Sequence, residues 1–260
     1  MSRDRNFDDL AELFAGRIYS GSKGRIRLAL LERDLLEVMP DLLQPARGLQ
    51  VLDAGGGVGQ FSQRLALAGH QVCLCDHSER MLAAAKQASA KAGTSTNMRF
   101  VHAAIQDLDT SSMSYDLVLC HAVLEWTQEP QVVIEQLLRL LRPGGVLSLM
   151  FFNLHSTVFR SLIRGYLDKA LQGDFKGSGQ GLTPVNPLEP QWVLELLQRR
   201  DVSVFIKSGI RVFHDYMHKD VRDRRNESDI MELEMRYSRL EPYRSMGRYY
   251  HIVAGKSVET

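Results

Sequence analysis

The sequence has few of the residues that would indicate a secreted, metal-binding or membrane protein. Its 260 residues include three cysteines, among them the closely spaced Cys73 and Cys75. This number and spacing give neither a disulfide framework nor a zinc pattern. No apolar run approaches the roughly 18–20 residues that span a bilayer, and residues 1–14 are charged rather than signal-like. We therefore expect a cytoplasmic protein with no membrane partner and no metal site.

An excess of either charge is also missing. Lysine and arginine together number 32 and aspartate and glutamate 31, which gives a net charge of +1. The chain as a whole therefore offers no electrostatic argument for nucleic-acid binding, and such an argument needs a local basic patch. The stretch from Arg17 to Arg27 contains four basic residues and no acidic one. A run of this kind is more simply a solvated face.

The pattern of apolar residues indicates the fold class. Between residues 50 and 152, short apolar segments alternate with segments of helical periodicity. We predict strands at 50–54, 71–75, 98–103, 115–120 and 146–152, followed by two more at 202–213 and 251–254. This alternation is typical of a doubly wound α/β fold, here a mostly parallel, Rossmann-like sheet of seven strands.

Three segments lie outside this alternation, although we expect residues 1–260 to form a single domain. Residues 1–45 are predicted to be a helical N-terminal cap, with helices at 7–19 and 26–43. Residues 153–186 break the rhythm and are predicted to be a lid or a substrate-binding insertion. Residues 214–247 form an insertion between the last two strands, with a helix predicted at 219–239.

The glycine-rich segment DAGGGVGQ, residues 53–60, joins the first strand to a helix. Such a turn places backbone N–H groups and a positive helix end at the carboxyl edge of the sheet, where open α/β sheets bind ligands. The dinucleotide fingerprint G-x-G-x-x-G is absent, because Gln60 and Ser62 occupy the positions of its third glycine. This disfavours a nicotinamide-dependent dehydrogenase. The motif that is present is acid-x-Gly-x-Gly-x-Gly, formed by Asp53, Gly55, Gly57 and Gly59.

Polar residues follow the next three predicted strands. Asp76 ends the second strand about 20 residues beyond the glycine turn, where a carboxylate can accept both ribose hydroxyls of a nucleoside. Gln106 and Asp107 follow the third strand and could bond an adenine edge, although Asp107 could equally be a helix N-cap. His121 ends the fourth strand, where a purely structural role is an equal alternative. The sequence therefore predicts a nucleoside site at this edge.

The order of five motifs, DAGGGVGQ, LCDHSERML, AAIQD, HAVLEW and LRPGGVLSLMFFN, resembles that of the class I S-adenosylmethionine-dependent methyltransferases. With RNFDDLAELF, GIRVFHDY and GRYYH added, almost the whole chain is similar to the tRNA-modifying members of that family, most weakly over 153–200. Those members convert the carboxylate of 5-carboxymethoxyuridine at the tRNA wobble position to its methyl ester. The resemblance implies S-adenosylmethionine as cofactor and the anticodon loop of tRNA as partner.

The resemblance also implies cofactor-binding residues. Asp53, which opens the glycine motif, is included among them. In this picture the guanidinium of Arg27 reaches over the glycine turn to the methionine carboxylate of the cofactor. The implied set is Arg27, Asp53, Gly55, Gly56, Asp76, Ile105, Gln106 and His121.

A carboxylate acceptor needs no general base, and none is predicted. Its pKa lies near 4, so it is already a nucleophile at neutral pH, and the site must supply alignment and a cationic or hydrogen-bonding clamp. Because the seventh strand returns antiparallel to the sixth, the end of one and the start of the other meet at the cofactor edge. A structural role for each residue there is an equal alternative. The substrate candidates are Arg211, His214, Tyr216, Arg248 and Tyr249.

Two other functions fit the core motifs. The first is a small-molecule O-methyltransferase that acts on a carboxylate, a phenol or a quinone, because the core alone does not distinguish acceptors. The second is a noncatalytic module that binds the cofactor or tRNA within a complex. Turnover by the purified protein would separate an enzyme from a module.

Overall fold

The computed structural model describes residues 4–8, 21–45, 48–111, 114–177 and 184–257. Within these residues seven strands form one sheet, in the order β3-β2-β1-β4-β5-β7-β6, and β7 alone runs antiparallel to its neighbours. The predicted seven-stranded, mostly parallel α/β fold is confirmed. The strands are β1 (Gln50–Ala54), β2 (Gln71–Asp76), β3 (Met98–His102), β4 (Tyr115–His121), β5 (Leu141–Phe152), β6 (Val202–Ile210) and β7 (Tyr249–Lys256).

Helices cover both faces of the sheet, and several begin or end at residues suited to those positions. The hydroxyl oxygen of Ser78 accepts a hydrogen bond from the backbone N–H of Met81, and Gly93 ends the same helix with φ +70°. No helix in the described ranges has the length and apolar character needed to cross a membrane. The helices are α1 (Ser22–Val38), α2 (Gln60–Leu67), α3 (Glu79–Ala92), α4 (Pro130–Leu140), α5 (Leu154–Ile163), α6 (Leu167–Gln172), α7 (Pro190–Gln198), α8 (Lys219–Arg222) and α9 (Glu227–Tyr237).

Helix α1 is fixed against the sheet by an apolar cluster. Ile26, Leu30 and Leu31 of α1 pack with Met150 of β5 and with residues of β6 and α9. The larger clusters on the two faces of the sheet are built from the nearly continuous apolar runs of the central strands, as expected for strands covered on both sides. The cluster under α1 brings the N-terminal part of the chain to the carboxyl edge of β4 and β5.

Several boundaries differ from the predictions. Strand β5 begins at Leu141 rather than at residue 146, and the helix predicted at 26–43 spans Ser22–Val38. Strand β6 ends at Ile210 rather than at residue 213, because Arg211 has φ +61° and turns the chain out of the sheet. The helix predicted at 219–239 is two helices, and the side chain of Asn226 caps the second one. Strand β7 is longer than predicted at both ends. The helix predicted at 7–19 falls mainly on residues outside the described ranges.

Glu234 of α9 anchors the segment that follows β6. Its side chain is buried, and its carboxylate accepts hydrogen bonds from the backbone N–H groups of Val212 (2.7 Å), Phe213 (3.2 Å) and His214 (2.8 Å). A buried backbone donor without a partner is costly. The carboxylate therefore fixes the course of the chain where it leaves the sheet.

We expect Glu234→Gln to lower the free energy of unfolding by about 1–3 kcal/mol, because the amide NH₂ turns a donor toward backbone donors. Chemical denaturation measures the change. The matched control is Glu232→Gln on the same helix, where the carboxylate pairs with Arg236 at the surface. That variant should lose less than about 0.5 kcal/mol. Equal losses in the two variants would contradict the anchoring role.

Candidate functional site

A cavity of about 660 Å³ opens at the carboxyl edge of the sheet. Its volume lies in the range of small-molecule and cofactor sites. The structure brings twelve of the thirteen sequence-predicted site residues into the lining of this one cavity. They are Arg27, Asp53, Gly55, Gly56, Asp76, Ile105, Gln106, His121, Arg211, His214, Arg248 and Tyr249.

Tyr216 is the predicted site residue that does not line the cavity. Its hydroxyl donates to the carbonyl oxygen of Met246 at 2.7 Å and lies 2.9 Å from Oγ of Ser156. Its ring packs edge-on against Phe159, with 5.4 Å between the ring centroids. Tyr216 therefore ties the loop after β6 to neighbouring segments, and its role in substrate binding stays a prediction.

The glycine turn has a conformation that explains its composition. Gly55 and Gly57 have φ angles of +71° and +56°, in the left-handed region that favours glycine. At Gly56 a Cβ atom would come within 2.7 Å of the Asp53 carboxyl group and 2.8 Å of Leu74. The turn therefore leaves no room for a side chain at its centre and presents backbone to the cavity.

Two carboxylates support this turn. Asp53 lies beneath it, accepts a hydrogen bond from the hydroxyl of Ser62, and has its pKa raised to about 6 by burial. Asp76 accepts from the backbone N–H groups of Gly57 and Ser78, both at 2.8 Å. Burial also raises the pKa of Asp76. Because each carboxylate oxygen has two acceptor sites, Asp76 retains capacity for two ribose hydroxyls.

The turn after β3 forms the next part of the cavity wall. Ile105 to Asp107 make a 3₁₀ turn, and the side-chain amide of Gln106 donates to Asp4 at 2.8 Å. Asp107 is exposed and does not line the cavity. The other oxygen of Asp4 accepts from the backbone N–H of Gln128. The described N-terminal residues 4–8 thus cross this end of the cavity, a contact that the sequence reasoning did not assign to particular residues.

His121 and Arg27 lie beyond the glycine turn. Nε2 of His121 is 2.8 Å from Oγ of Ser148, and burial lowers the pKa of His121 well below its usual value. Ala122, the next residue, has φ +62°, a sparsely populated conformation for alanine. The guanidinium of Arg27 stacks 4.8 Å from the ring centroid of Tyr249.

The opposite end of the cavity holds a basic cluster, which we define as Lys23, Arg160, Arg211 and Arg248 around the buried carboxylate of Asp215. The four N–O distances to that carboxylate are 3.1 Å from Arg211, 3.7 Å from Lys23 and from Arg160, and 3.9 Å from Arg248. All five residues line the cavity. One carboxylate against four cations leaves an excess of three positive charges.

Burial and repulsion between the cations destabilise the charged forms of the basic residues in this cluster, and the pKa values of its members reflect this. Burial, with a contribution from Arg160, lowers the pKa of Arg248 to about 10. Burial acts to raise the pKa of Asp215, but the hydrogen bond with His214 and the surrounding cations hold it well below its usual value. Nε of Arg211 is buried without a hydrogen-bond partner among the described residues. The cluster therefore has unused capacity for an anion.

The sequence reasoning missed several residues of the cavity wall, among them four charged residues near Asp215. They come from distant segments, and neither motif nor spacing linked them. The basic stretch 17–27 was only a partial signal: Lys23 and Arg27 face the cavity, Arg25 pairs with Glu227 at the surface, and Arg17 lies outside the described residues. These four charged residues are Lys23, Arg160, Asp215 itself and Arg222.

Comparisons with known proteins agree with this geometry. A family model described as "Methyltransferase domain" matches residues 52–149. The tRNA 5-carboxymethoxyuridine methyltransferase of Escherichia coli (strain K12) is 44% identical over 98% of this chain and 97% of that protein. The malonyl-[acyl-carrier protein] O-methyltransferase of Pectobacterium atrosepticum is 30% identical over 69% of this chain and 67% of that protein. Magnesium protoporphyrin IX methyltransferase from Synechocystis PCC 6803, solved with bound SAH, is 18% identical with a TM-score of 0.63 and 97% coverage of both chains, and it shares the fold.

The position of Arg27 predicts a measurable role in cofactor binding. Arg27→Lys keeps the charge but loses the planar fork, so we expect weaker binding of S-adenosylhomocysteine by calorimetry, and still weaker binding for Arg27→Ala. The loss for alanine should be roughly ten- to a hundredfold. Arg25→Lys, two residues away on the same helix and paired with Glu227, is the matched control and should bind like the parent. Parent-like binding by both Arg27 variants would remove Arg27 from the site.

Proposed function

This chain belongs to the class I S-adenosylmethionine-dependent methyltransferases, and on that basis we propose that it methylates the carboxylate of 5-carboxymethoxyuridine at the wobble position of tRNA, giving the methyl ester. The observation that carries the proposal is the basic cluster around Asp215. The full-length similarity to the E. coli enzyme of that name supports the choice of tRNA.

The charge of the cluster favours a carboxylate acceptor over a neutral one. A carboxylate in the cavity would offset part of the excess positive charge and offer an acceptor to the unpartnered Nε of Arg211. A quinone or a neutral phenol would leave both the charge and the donor uncompensated, which is costly for buried groups. The end of the cavity that contains the basic cluster, which we call the acceptor end, therefore favours an anionic acceptor. The end that contains the glycine turn is the cofactor end.

The histidines at this end of the cavity also suit an acceptor that needs no base. Both ring nitrogens of His214 are engaged, Nδ1 with Asp215 at 3.0 Å and Nε2 with Ser22 at 3.1 Å. His121 is held neutral by burial, and its Nε2 is bonded to Ser148. A carboxylate is ionised at neutral pH without help, whereas a hydroxyl acceptor requires proton removal.

The cofactor-binding assignments follow the order of strands along the edge. We assign the ribose to Asp76, the adenine to the Ile105–Gln106 turn, and the methionine end to His121 and Arg27, with Gly55 and Gly56 giving close approach to backbone. When bound, S-adenosylmethionine supplies an electrophilic methyl group. The guanidinium groups of Arg27 and Arg211 lie 4.8 and 5.2 Å from the ring centroid of Tyr249, so this ring contacts both the cofactor end and the acceptor end.

The three segments predicted outside the α/β alternation, which we call the additions, each supply part of the acceptor end. The cap, 1–45, contributes Lys23; the insertion 153–186 contributes Arg160; and the insertion 214–247 contributes Asp215 and Arg222. The remaining cations, Arg211 and Arg248, adjoin β6 and β7. We therefore propose that these additions recognise the acceptor, while the core at 52–149 binds the cofactor.

A small-molecule carboxyl O-methyltransferase is the second candidate, because the same cluster would hold any carboxylate of suitable size. The similar malonyl-[acyl-carrier protein] O-methyltransferase acts, by its name, on a malonyl group carried by a protein, so relatives of this chain include enzymes with acceptors other than RNA. The two candidates differ in whether nucleic-acid phosphates contribute to binding.

Turnover with defined tRNA tests the proposal. We expect methyl transfer from labelled S-adenosylmethionine to tRNA that carries the carboxymethoxy group and none to the same tRNA with unmodified uridine. Binding of tRNA should weaken steeply with salt, because phosphate contacts release counterions. Equal methylation of both tRNAs, or turnover on small carboxylates with no activity on tRNA, would contradict the proposal.

Arg248 tests the carboxylate clamp directly. Removal of one charged hydrogen-bond donor in Arg248→Gln should lower kcat/KM for modified tRNA by roughly ten- to a hundredfold, while S-adenosylhomocysteine binding stays at the parental value. The matched control is Arg200→Gln, since Arg200 pairs with Glu135 outside the cavity. An unchanged kcat/KM with only a shallower salt dependence would instead place Arg248 against a phosphate.

A further inference from the structure

A buried chain of hydrogen bonds runs from α1 to His121, and we call it the histidine relay. Oδ2 of Asp34 lies 2.8 Å from Nδ1 of His251, and Nε2 of His251 lies 2.9 Å from Oγ of Ser148. The same Oγ is 2.8 Å from Nε2 of His121. Asp34, Ser148 and His251 are each 0% exposed. Four elements, α1, β4, β5 and β7, thus contribute one side chain each.

The sheet register explains how these side chains meet. His121 on β4 and His251 on β7 both pair with Met150 on β5, so they flank it from either side. Ser148 lies two residues before Met150 and therefore on the same face of the strand. Helix α1 packs onto this face through Ile26, Leu30 and Leu31 and so carries Asp34 to the relay.

The first bond of the relay has a fixed direction. Burial acts to raise the pKa of Asp34, but the hydrogen bonds from His251 and Arg239 and the charge of Arg33 hold it well below its usual value. Its Oδ1 accepts from Arg33 at 2.6 Å and from Arg239 at 2.7 Å. An ionised carboxylate only accepts hydrogen bonds, so Nδ1 of His251 is the donor.

Charge balance then fixes the second bond. Arg33 and Arg239 are balanced by Asp34 and by Glu37, which bonds Arg239 at 2.6 Å. A second proton on the fully buried His251 would place an uncompensated charge in the interior. Neutral His251 has no hydrogen on Nε2, so this nitrogen accepts from the hydroxyl of Ser148.

The third bond follows from the single proton of a hydroxyl group. Since Ser148 donates to His251, its oxygen accepts from Nε2–H of His121. Nδ1 of His121 is then unprotonated, and it makes no hydrogen bond to any residue in the described ranges. His121 lines the cavity, so this lone pair is available there.

We propose that Asp34, His251 and Ser148 are positioning residues that hold His121 in the tautomer protonated on Nε2, so that Nδ1 is a fixed acceptor for the α-ammonium group of S-adenosylmethionine. The inference rests on the proposed assignment of the methionine end to His121. Arg27 suits the carboxylate of the same amino-acid group, and its charge is one of the causes that lower the pKa of His121. A neutral His121 avoids repulsion with both the ammonium and the sulfonium of the cofactor.

Nitrogen NMR of the full chain with ¹⁵N-labelled histidine reads the tautomer directly and needs no variant. With S-adenosylhomocysteine bound, we expect His121 to show a protonated Nε2 and an unprotonated Nδ1 at neutral pH. The resonance is assigned by its loss in His121→Gln. A proton on Nδ1, or an imidazolium, would overturn the proposal.

Ligand discrimination tests the consequence. The probes are S-adenosylhomocysteine and its analogue with hydrogen in place of the α-amino group, compared by calorimetry. The parent should prefer the amino compound by roughly tenfold, and Ser148→Ala should lower this preference by roughly threefold or more. An unchanged ratio, with both ligands weakened equally, would reduce the relay to a structural role.

Ser89→Ala is the matched control. Ser89 is also 0% exposed and bonds a neighbouring hydroxyl, that of Thr94, at 2.9 Å, outside both the relay and the cavity. It should leave the preference at the parental value. Neither measurement involves a methyl acceptor, so failure of the relay is distinguishable from failure of the proposed tRNA function.

Discussion

The arrangement of the acceptor end depends on one buried carboxylate surrounded by more cations than it can neutralise. Asp215 holds guanidinium and ammonium groups from α1, from the insertion after β5 and from the segments flanking β6 and β7. Without it, four closely spaced cations would repel one another and the three additions would lose their common contact. With it, a positive excess persists that a bound anion can offset. The interaction of Asp215 with the cations therefore holds the site together and still leaves a net positive charge for a bound anion.

The two ends of the cavity are built by different means. The cofactor end consists of a contiguous glycine turn and of residues at the ends of neighbouring parallel strands, so its shape follows from the βα units. The acceptor end consists of side chains up to 225 residues apart in sequence, from Lys23 to Arg248, and depends on tertiary packing. Glu234 is part of this tertiary packing, because its carboxylate fixes the backbone from which His214 and Asp215 project.

The same difference decides how much the sequence could predict. The fold, the glycine turn and the strand-end position of Asp76 follow from local patterns and from fixed spacing, whereas Arg27 required resemblance to a family. Asp215 and Arg160 lacked any signal, since their meeting depends on how two insertions fold back. Tyr216 was predicted from its position near a strand end, and the course of the chain there depends on a left-handed turn at Arg211 that no sequence pattern indicated. The histidine relay depends on register across β4, β5 and β7, which no sequence period specifies.

In the proposed reaction both reacting charges disappear, because a sulfonium and a carboxylate become a thioether and an ester. Interactions that bind those charges tightly in the ground state weaken in the transition state. Very strong binding of the charged groups would therefore raise the activation free energy of methyl transfer. The structure limits the strength of such ground-state interactions at both the cofactor end and the acceptor end. Asp215 offsets part of the positive charge that faces the acceptor, and the neutral His121, proposed to bind the α-ammonium group, adds no charge near the sulfonium. The ester product no longer compensates the cluster, so the chemistry itself loosens the product.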